Sequence, residues 1–213
     1  MPTQEQHDNL LNFYQSGRLN EAERLARSIT QEFPNYQFAW KVLGAVLKAV
    51  GRSSEAVSAN QKSVALSPGD AYAHYNLGTT LKEVGRLEEA GKSFLQAIAL
   101  KPDFAEAHNN LGVTAQEQSR WEEAIKSYKN AIVLKSDYAQ AYYNLGTVLK
   151  ERFRTEEAEV NLRHAIALKS DFAEAHNGLG AVLKELGRLD EAEVSYRQAI
   201  TLKSDYAEAY CNL

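Results

Sequence analysis

Four asparagines recur at a spacing that could build a recognition surface. Asn76, Asn110 and Asn144 are each 34 residues apart, and Asn212 follows at twice that interval. A primary amide carries donors and an acceptor on one planar group, so a row of amides suits the backbone of an extended peptide whatever its side chains are. Lys82, Lys150 and Lys184 repeat beside the row, with Lys48 before them and Gln116 interrupting, while Tyr72, Thr79 and Thr147 complete the candidate contact set. The types that do bond-making chemistry are sparse. Cys211 is the only cysteine; it has no histidine placed by sequence to activate it, and one thiol excludes both an intrachain disulfide and a multi-thiolate metal site. His74, His108 and His176 also recur, but each stands in a separate period and on the packing side of its helix, so a metal site is not supported. No glycine-rich phosphate loop is present. The expectation is binding without catalysis: no catalytic residue, no metal and no cofactor.

Such a row needs elements repeating at the same interval, and the chain supplies them. Gly44, Gly78, Gly112, Gly146 and Gly180 are 34 residues apart, each preceded by a leucine, and the leucine series runs on to Leu213. Ala22, Ala56, Ala90, Ala124, Ala158 and Ala192 form a second series with the same period, and Pro34, Pro68 and Pro102 a third that turns into Ser136, Ser170 and Ser204. A fixed period of this size marks a repeat architecture. One domain over 1–213 is expected, with repeats 3–36, 37–70, 71–104, 105–138, 139–172 and 173–206 and a truncated seventh at 207–213. Within a repeat, two breaker-poor runs flank a glycine, which predicts a helical hairpin. Gly17, Gly51, Gly85 and Gly187 occupy the turn, where a positive φ ends the first helix. Ser119 and Phe153 hold that place elsewhere, so those turns are expected to close differently. Asp103, Asp171 and Asp205 stand three residues before Glu106, Glu174 and Glu208, the spacing of a capping box with Asp in the hydroxyl role.

Helical periodicity then sorts the faces. At about 100° per residue, repeat positions 4, 7, 8 and 11 of the first helix, such as His108, Leu111, Gly112 and Ala115, form the packing stripe. Positions 2, 6, 9 and 13 lie opposite and carry the asparagine row. That these polar residues are merely solvated and repeated by duplication stays open here. Arg18, Arg52, Arg86, Arg120, Arg154 and Arg188 each precede a Glu by three residues, the spacing of a local ion pair within one helix.

Composition agrees. With 44% hydrophobic residues the chain can bury a continuous core, and a net charge of −4 with 24 basic and 28 acidic residues interspersed disfavours nucleic acid as partner. No window approaches the roughly 18 apolar residues of a spanning helix, so no membrane partner is expected. A single cysteine fits a cytoplasmic location.

The period, Trp40-x-x-Leu43-Gly44, Ala90-x-x-x-Phe94 and the closing Pro102 resemble the tetratricopeptide-repeat (TPR) family across the chain. That resemblance implies an all-α, right-handed superhelical solenoid of helix-turn-helix repeats whose concave groove is lined by positions 2, 6, 9 and 13. The segments Ala73-His74-Tyr75-Asn76-Leu77-Gly78, Ala107-His108-Asn109-Asn110-Leu111-Gly112 and Ala209-Tyr210-Cys211-Asn212-Leu213 are similar to repeats of protein O-linked N-acetylglucosamine transferases. It implies peptide contact by Asn76, Asn110, Asn144 and Asn212, with Gly178 breaking the series. The carboxylate-clamp subgroup matches only at Lys41 and Asn76, with Glu106 and Asn110 at its other cationic places, so a chaperone-tail clamp is rejected.

The functional expectation is a protein–protein interaction module that binds an extended peptide or partner protein in its groove. It is read as the recruiting portion of a longer protein, such as an O-linked N-acetylglucosamine transferase-like enzyme whose catalytic domain would follow Leu213. The alternative is a freestanding adaptor or a self-assembling scaffold. Tyr206, Ala209, Tyr210 and Leu213 extend an apolar half-helix, expected to pair with a second molecule.

Overall fold

The computed structural model describes all residues, 1–213. It is all-α, and its thirteen helices alternate with the period of the sequence. The first helices of the repeats are α1 (Gln4–Gln15), α3 (Gln37–Ala49), α5 (Ala71–Glu83), α7 (Ala105–Glu117), α9 (Ala139–Glu151) and α11 (Ala173–Glu185). The second helices are α2 (Leu19–Glu32), α4 (Ser53–Leu66), α6 (Leu87–Leu100), α8 (Trp121–Leu134), α10 (Thr155–Leu168) and α12 (Leu189–Leu202), and α13 (Ala207–Asn212) begins a seventh pair. No helix is long and apolar enough to cross a membrane. The chain forms two compact units, Met1–Asn110 and Leu111–Leu213.

The core of each unit contains the leucines of the predicted stripe and extends beyond it, to position 10 (Val46, Val148 and Val182) and, in the second repeat, to Val42 at position 6, which was expected on the groove face. In the first, Leu10, Ile29, Val42, Leu43, Val46 and Leu47 pack with Ala22 and Ala26; in the second, Leu145, Leu149, Leu162, Leu179 and Leu183 surround Tyr128 and Tyr196. The periodic glycine lets the two helices of a hairpin close on a large side chain. A Cβ on Gly112 would lie 2.6 Å from the Tyr128 ring, on Gly78 2.7 Å from Phe94, on Gly146 2.8 Å from Leu162 and on Gly180 2.6 Å from Tyr196. The first repeat reverses the sizes, setting the fully buried Leu10 at the glycine position and Ala26 at the position of the ring.

All six hairpin turns close in the same way, which corrects the expectation for Ser119 and Phe153. Their φ values of 58° and 57° match the left-handed conformation of the glycines at 72° to 78°. At Gly51 the amide donates to Lys48 O at 2.9 Å and the next amide, of Arg52, to Leu47 O at 2.8 Å. Phe153 and Arg154 repeat this with Lys150 O and Leu149 O, each at 2.9 Å. The paired bonds satisfy the last helix carbonyls and hold the conformation whichever residue occupies it.

The Asp-to-Glu capping box does not form at Asp171 or Asp205. The N-cap residues there are Phe172 and Tyr206, without a side-chain cap bond. Phe172 is buried with its ring 4.9 Å from that of Tyr143, so the cap position serves the core and the aspartate falls one residue outside. Caps do form at Thr3, reciprocally with Gln6, and at Asp70, whose Oδ1 accepts from the amides of Tyr72 and Ala73.

The arginine–glutamate series pairs locally as expected, for example Arg86–Glu89 at 2.6 Å and Arg154–Glu157 at 2.7 Å. Two of the pairs also bridge neighbouring repeats. Glu23, Arg27, Glu55 and Arg52 form one four-membered network, and Glu159, Arg163, Glu191 and Arg188 a second.

Candidate functional site

Positions 6, 9 and 13 of successive first helices line open cavities, as the face assignment requires. In the first unit Asn76, Thr79 and Glu83 border a cavity of about 370 Å³. A neighbouring cavity of about 330 Å³ shares Tyr14, Ala45 and Asn76 with it and adds Leu11, Phe38, Val42 and Tyr72. In the second unit Asn144, Thr147, Glu117 and Glu151 line a cavity of about 440 Å³ beside Trp121. The same helices turn Leu77, Leu111 and Leu145 inward, all buried. The leucine face packs and residues of the opposite face border the cavities, although Val42 and Thr79 on that face are themselves buried.

The amides of the row are not equivalent, because most already have partners within the chain. Asn110 Nδ2 donates to the Tyr75 hydroxyl at 3.0 Å, and Asn212 Nδ2 donates to Asn177 Oδ1 at 3.2 Å. Both bonds run from position 6 of one repeat to position 5 of the repeat before it, a regularity that sequence reading missed because position 5 changes type along the chain, from Lys41 through Tyr75, Asn109, Tyr143 and Asn177 to Cys211. Asn144 Oδ1 accepts from Gln140 at 2.9 Å. Asn76 differs. The preceding position 5 is Lys41, whose ammonium is 2.9 Å from Asp70, so it offers Asn76 nothing. The Asn76 carbonyl takes the hydroxyls of Thr79 and Thr80, and its side-chain amide is left without a hydrogen bond. Lys41 itself, one of the two clamp-like residues, is thereby committed to a helix cap.

The remaining predicted residues fall into two groups. Tyr72 is half-exposed, accepts a hydrogen bond from Lys101 at 2.8 Å and lies with its ring 5.0 Å from that of Phe104. Thr79 and Thr147 donate their hydroxyl protons to the carbonyls of Asn76 and Tyr143, each at 2.9 Å, so toward a ligand they present lone pairs. Lys82 has no ion pair, Lys150 borders a cavity of about 90 Å³ with Glu174 and Glu208, and Lys184 donates to the Asn212 carbonyl at 3.3 Å. Burial raises the Tyr75 hydroxyl above its usual pKa despite the bond from Asn110, and burial, with Glu208 adding, pushes Tyr206 up to about 12. Both are neutral hydrogen-bonding groups at physiological pH.

The recurrent histidines belong to the scaffold. Nε2 of His74, His108 and His176 meets the carbonyl of Pro68, Pro102 and Ser170 at 3.0 to 3.2 Å. A carbonyl only accepts, so that nitrogen carries the proton. Trp40, at the same repeat position, donates to Pro34 O at 2.8 Å. In these four repeats position 4 thus supplies a ring N–H that ties the first helix to the loop preceding it. Gly178, where the row lacks its asparagine, faces the Leu162 and Tyr143 side chains.

A family model described as TPR repeat matches residues 78–119, 116–152 and 182–213, and two described as tetratricopeptide repeat match 59–92 and 139–169. No curated protein gives a match. Among solved structures, the crystal structure of MamA is similar at 26% identity and a TM-score of 0.70, covering 78% of this chain and 97% of that one. YrrB, described as a TPR protein with an unusual peptide-binding site, is 17% identical with a TM-score of 0.70 and coverage of 87% and 96%. The pilF protein of Pseudomonas aeruginosa is 18% identical with a TM-score of 0.84 and coverage of 96% and 95%. At these last two identities the likeness is one of fold.

Proposed function

Because this chain belongs to the tetratricopeptide-repeat family, we propose that it is a non-catalytic interaction module that binds an extended segment of a partner protein. The observation that carries this reading is the open face of the first helices, where Asn76, Thr79 and Glu83 in one unit and Asn144, Thr147 and Glu151 in the other line cavities. Backbone amides of the segment meet Asn76, Asn110 and Asn144; the latter two exchange bonds within the chain for bonds to the ligand, and Asn76 adds one outright. Lys82, Lys150 and Lys184 favour acidic or hydroxyl-bearing neighbours. Because backbone contacts carry little sequence information, affinity accumulates over several repeats.

The similarity of the repeat segments to those of protein O-linked N-acetylglucosamine transferases supports a role as the recruiting portion of a longer cytoplasmic enzyme of that kind. A freestanding adaptor, or a scaffold pairing through Tyr206, Tyr210 and Leu213, is the alternative.

Calorimetric binding of an extended-peptide library tests the groove reading, comparing the native protein with the combined Asn76→Ala, Asn110→Ala and Asn144→Ala protein. Each hydrogen bond is worth about 0.5 to 1.5 kcal/mol, so the triple change should weaken binding by about tenfold or more while circular dichroism stays helical. Equal affinity of two folded proteins would discard the asparagine row as the contact surface.

A further inference from the structure

The groove face changes character along the chain. At position 2 of the first helix the later repeats carry Glu106, Gln140 and Glu174, and at position 6 stand the asparagines of the row. The second repeat instead sets Phe38 and Val42 at these places, and the third has Tyr72 at position 2. The first has Tyr14 at position 12, where every other repeat has Lys or Gln. The fold gathers these departures in one place, because Leu11, Tyr14, Phe38, Val42, Ala45 and Tyr72 wall the open cavity of about 330 Å³ in the first unit. Core packing does not use them all. Val42 is buried, but Tyr14 is 40% and Tyr72 51% exposed, and Leu11, Phe38 and Ala45 are half-buried. The cavity also offers no free charge. Its other wall residues are Gln15, Lys41 and Asn76, and the Lys41 ammonium is neutralised by Asp70 at 2.9 Å. The Tyr72 hydroxyl already accepts from Lys101.

We propose that this cavity is the anchor point of the groove and takes one large apolar side chain, of leucine to phenylalanine size, from the extended partner segment; this rests on the groove reading above and names the residue type the groove selects. Its volume lies within the range of ligand sites, about 300 to 1,000 Å³, and its make-up is theirs, mostly apolar and aromatic walls with a few polar groups. Exposed tyrosine rings supply contact area at low cost in side-chain entropy, and seating an apolar side chain between them removes surface of both partners from water. An alanine leaves those walls wet. An acidic or basic side chain gives up hydration and finds no counterion, since Lys41 and Asp70 already satisfy each other. The free side-chain amide of Asn76 stands on the wall that this cavity shares with its neighbour, where it meets the segment's backbone beside the anchor.

The test is a positionally randomised library of extended peptides bound to the full chain, to the double variant Tyr14→Gln with Tyr72→Gln, and to Ala45→Val. Gln116 and Gln140 hold the two tyrosine positions in later repeats and Val113 holds that of Ala45, so each change sets a side chain the fold already carries at that register. In the native protein one peptide position should prefer Leu, Met or Phe, and its change to Ala should weaken binding by about tenfold or more. In the double variant that difference should shrink to about twofold, with Ala45→Val also narrowing it, while peptides continue to bind through the other repeats. Bound peptides without an apolar preference, or a full difference that survives in the folded double variant, would overturn the assignment and leave the groove reading intact. Sedimentation of the native protein without peptide checks the other occupant: a dimer lost both in the double variant and in Phe153→Gly would give the cavity to the exposed Phe153 ring of a second copy and overturn the assignment to a partner segment. A native protein that binds no extended peptide would refute the groove reading, and this one with it.

Discussion

Phe153→Gly should stabilise the protein, a direction opposite to that of most aromatic-to-glycine changes. The Phe153 φ of 57° places it in the left-handed region, which costs an L-residue about 1 to 2 kcal/mol relative to glycine. Removing the ring forfeits little packing, because Phe153 is 88% exposed. Against the relief stands the larger entropy that glycine loses on folding, about 0.5 to 1 kcal/mol. The net expectation is a gain of about 0.5 to 1 kcal/mol, or about 1 to 4 °C in Tm for a chain of this size. The mirror experiment is Gly85→Phe, at a φ of 75° where an added Cβ meets no atom within 4 Å; it should lose a similar amount. Thermal melts followed by circular dichroism compare both with the native protein, and amide exchange of the Arg154 N–H, bonded to Leu149 O at 2.9 Å, reports the turn itself. A Tm that falls in Phe153→Gly, with faster exchange at Arg154, would refute the argument that strain outweighs whatever the ring contributes.

Two further outcomes are expected. Leu111→Ala should cost about 2 to 5 kcal/mol, as buried leucine truncations do, whereas Asn110→Ala, one residue away on the open face, should cost only about 1 kcal/mol for its bond to Tyr75; chemical denaturation that ranks them equal would contradict the face assignment. The Glu23 carboxyl is held below its usual 4.5, first by its hydrogen bond from Arg27, with partial burial opposing and Arg52 adding. A carboxyl with a lowered folded pKa stabilises fully above its unfolded value and loses that contribution as pH falls through the folded one, so Glu23→Gln should flatten the stability profile below about pH 4.5 and barely change its shape near neutrality.

The repeat was readable from the chain because its causes are local and recur. Gly44 to Gly180, their preceding leucines and the alanine series mark positions where helices meet, and every repeat must solve the same contact with the same residue type. Helix bounds, the leucines of the packing stripe and the polar residues of the opposite face follow from that register. The turns at Ser119 and Phe153 were misjudged because residue type suggested the conformation, whereas the paired amide-to-carbonyl bonds of the whole turn impose it. The capping aspartates were misjudged because spacing cannot reveal that Phe172 needs the cap position for the core. What only the tertiary structure decided is which groups are spent. Sequence shows four equal asparagines, but the partner of each stands in another turn or another repeat: Tyr75 engages Asn110, Asn177 engages Asn212, and Lys41 leaves Asn76 free because Asp70 has claimed it. The apolar cavity shows the same limit most sharply. Leu11, Phe38, Val42 and Tyr72 each read as one more apolar residue in a helix, and the space they wall exists only once α1, α3 and α5 are packed, because a cavity belongs to the assembled neighbours and not to any one residue.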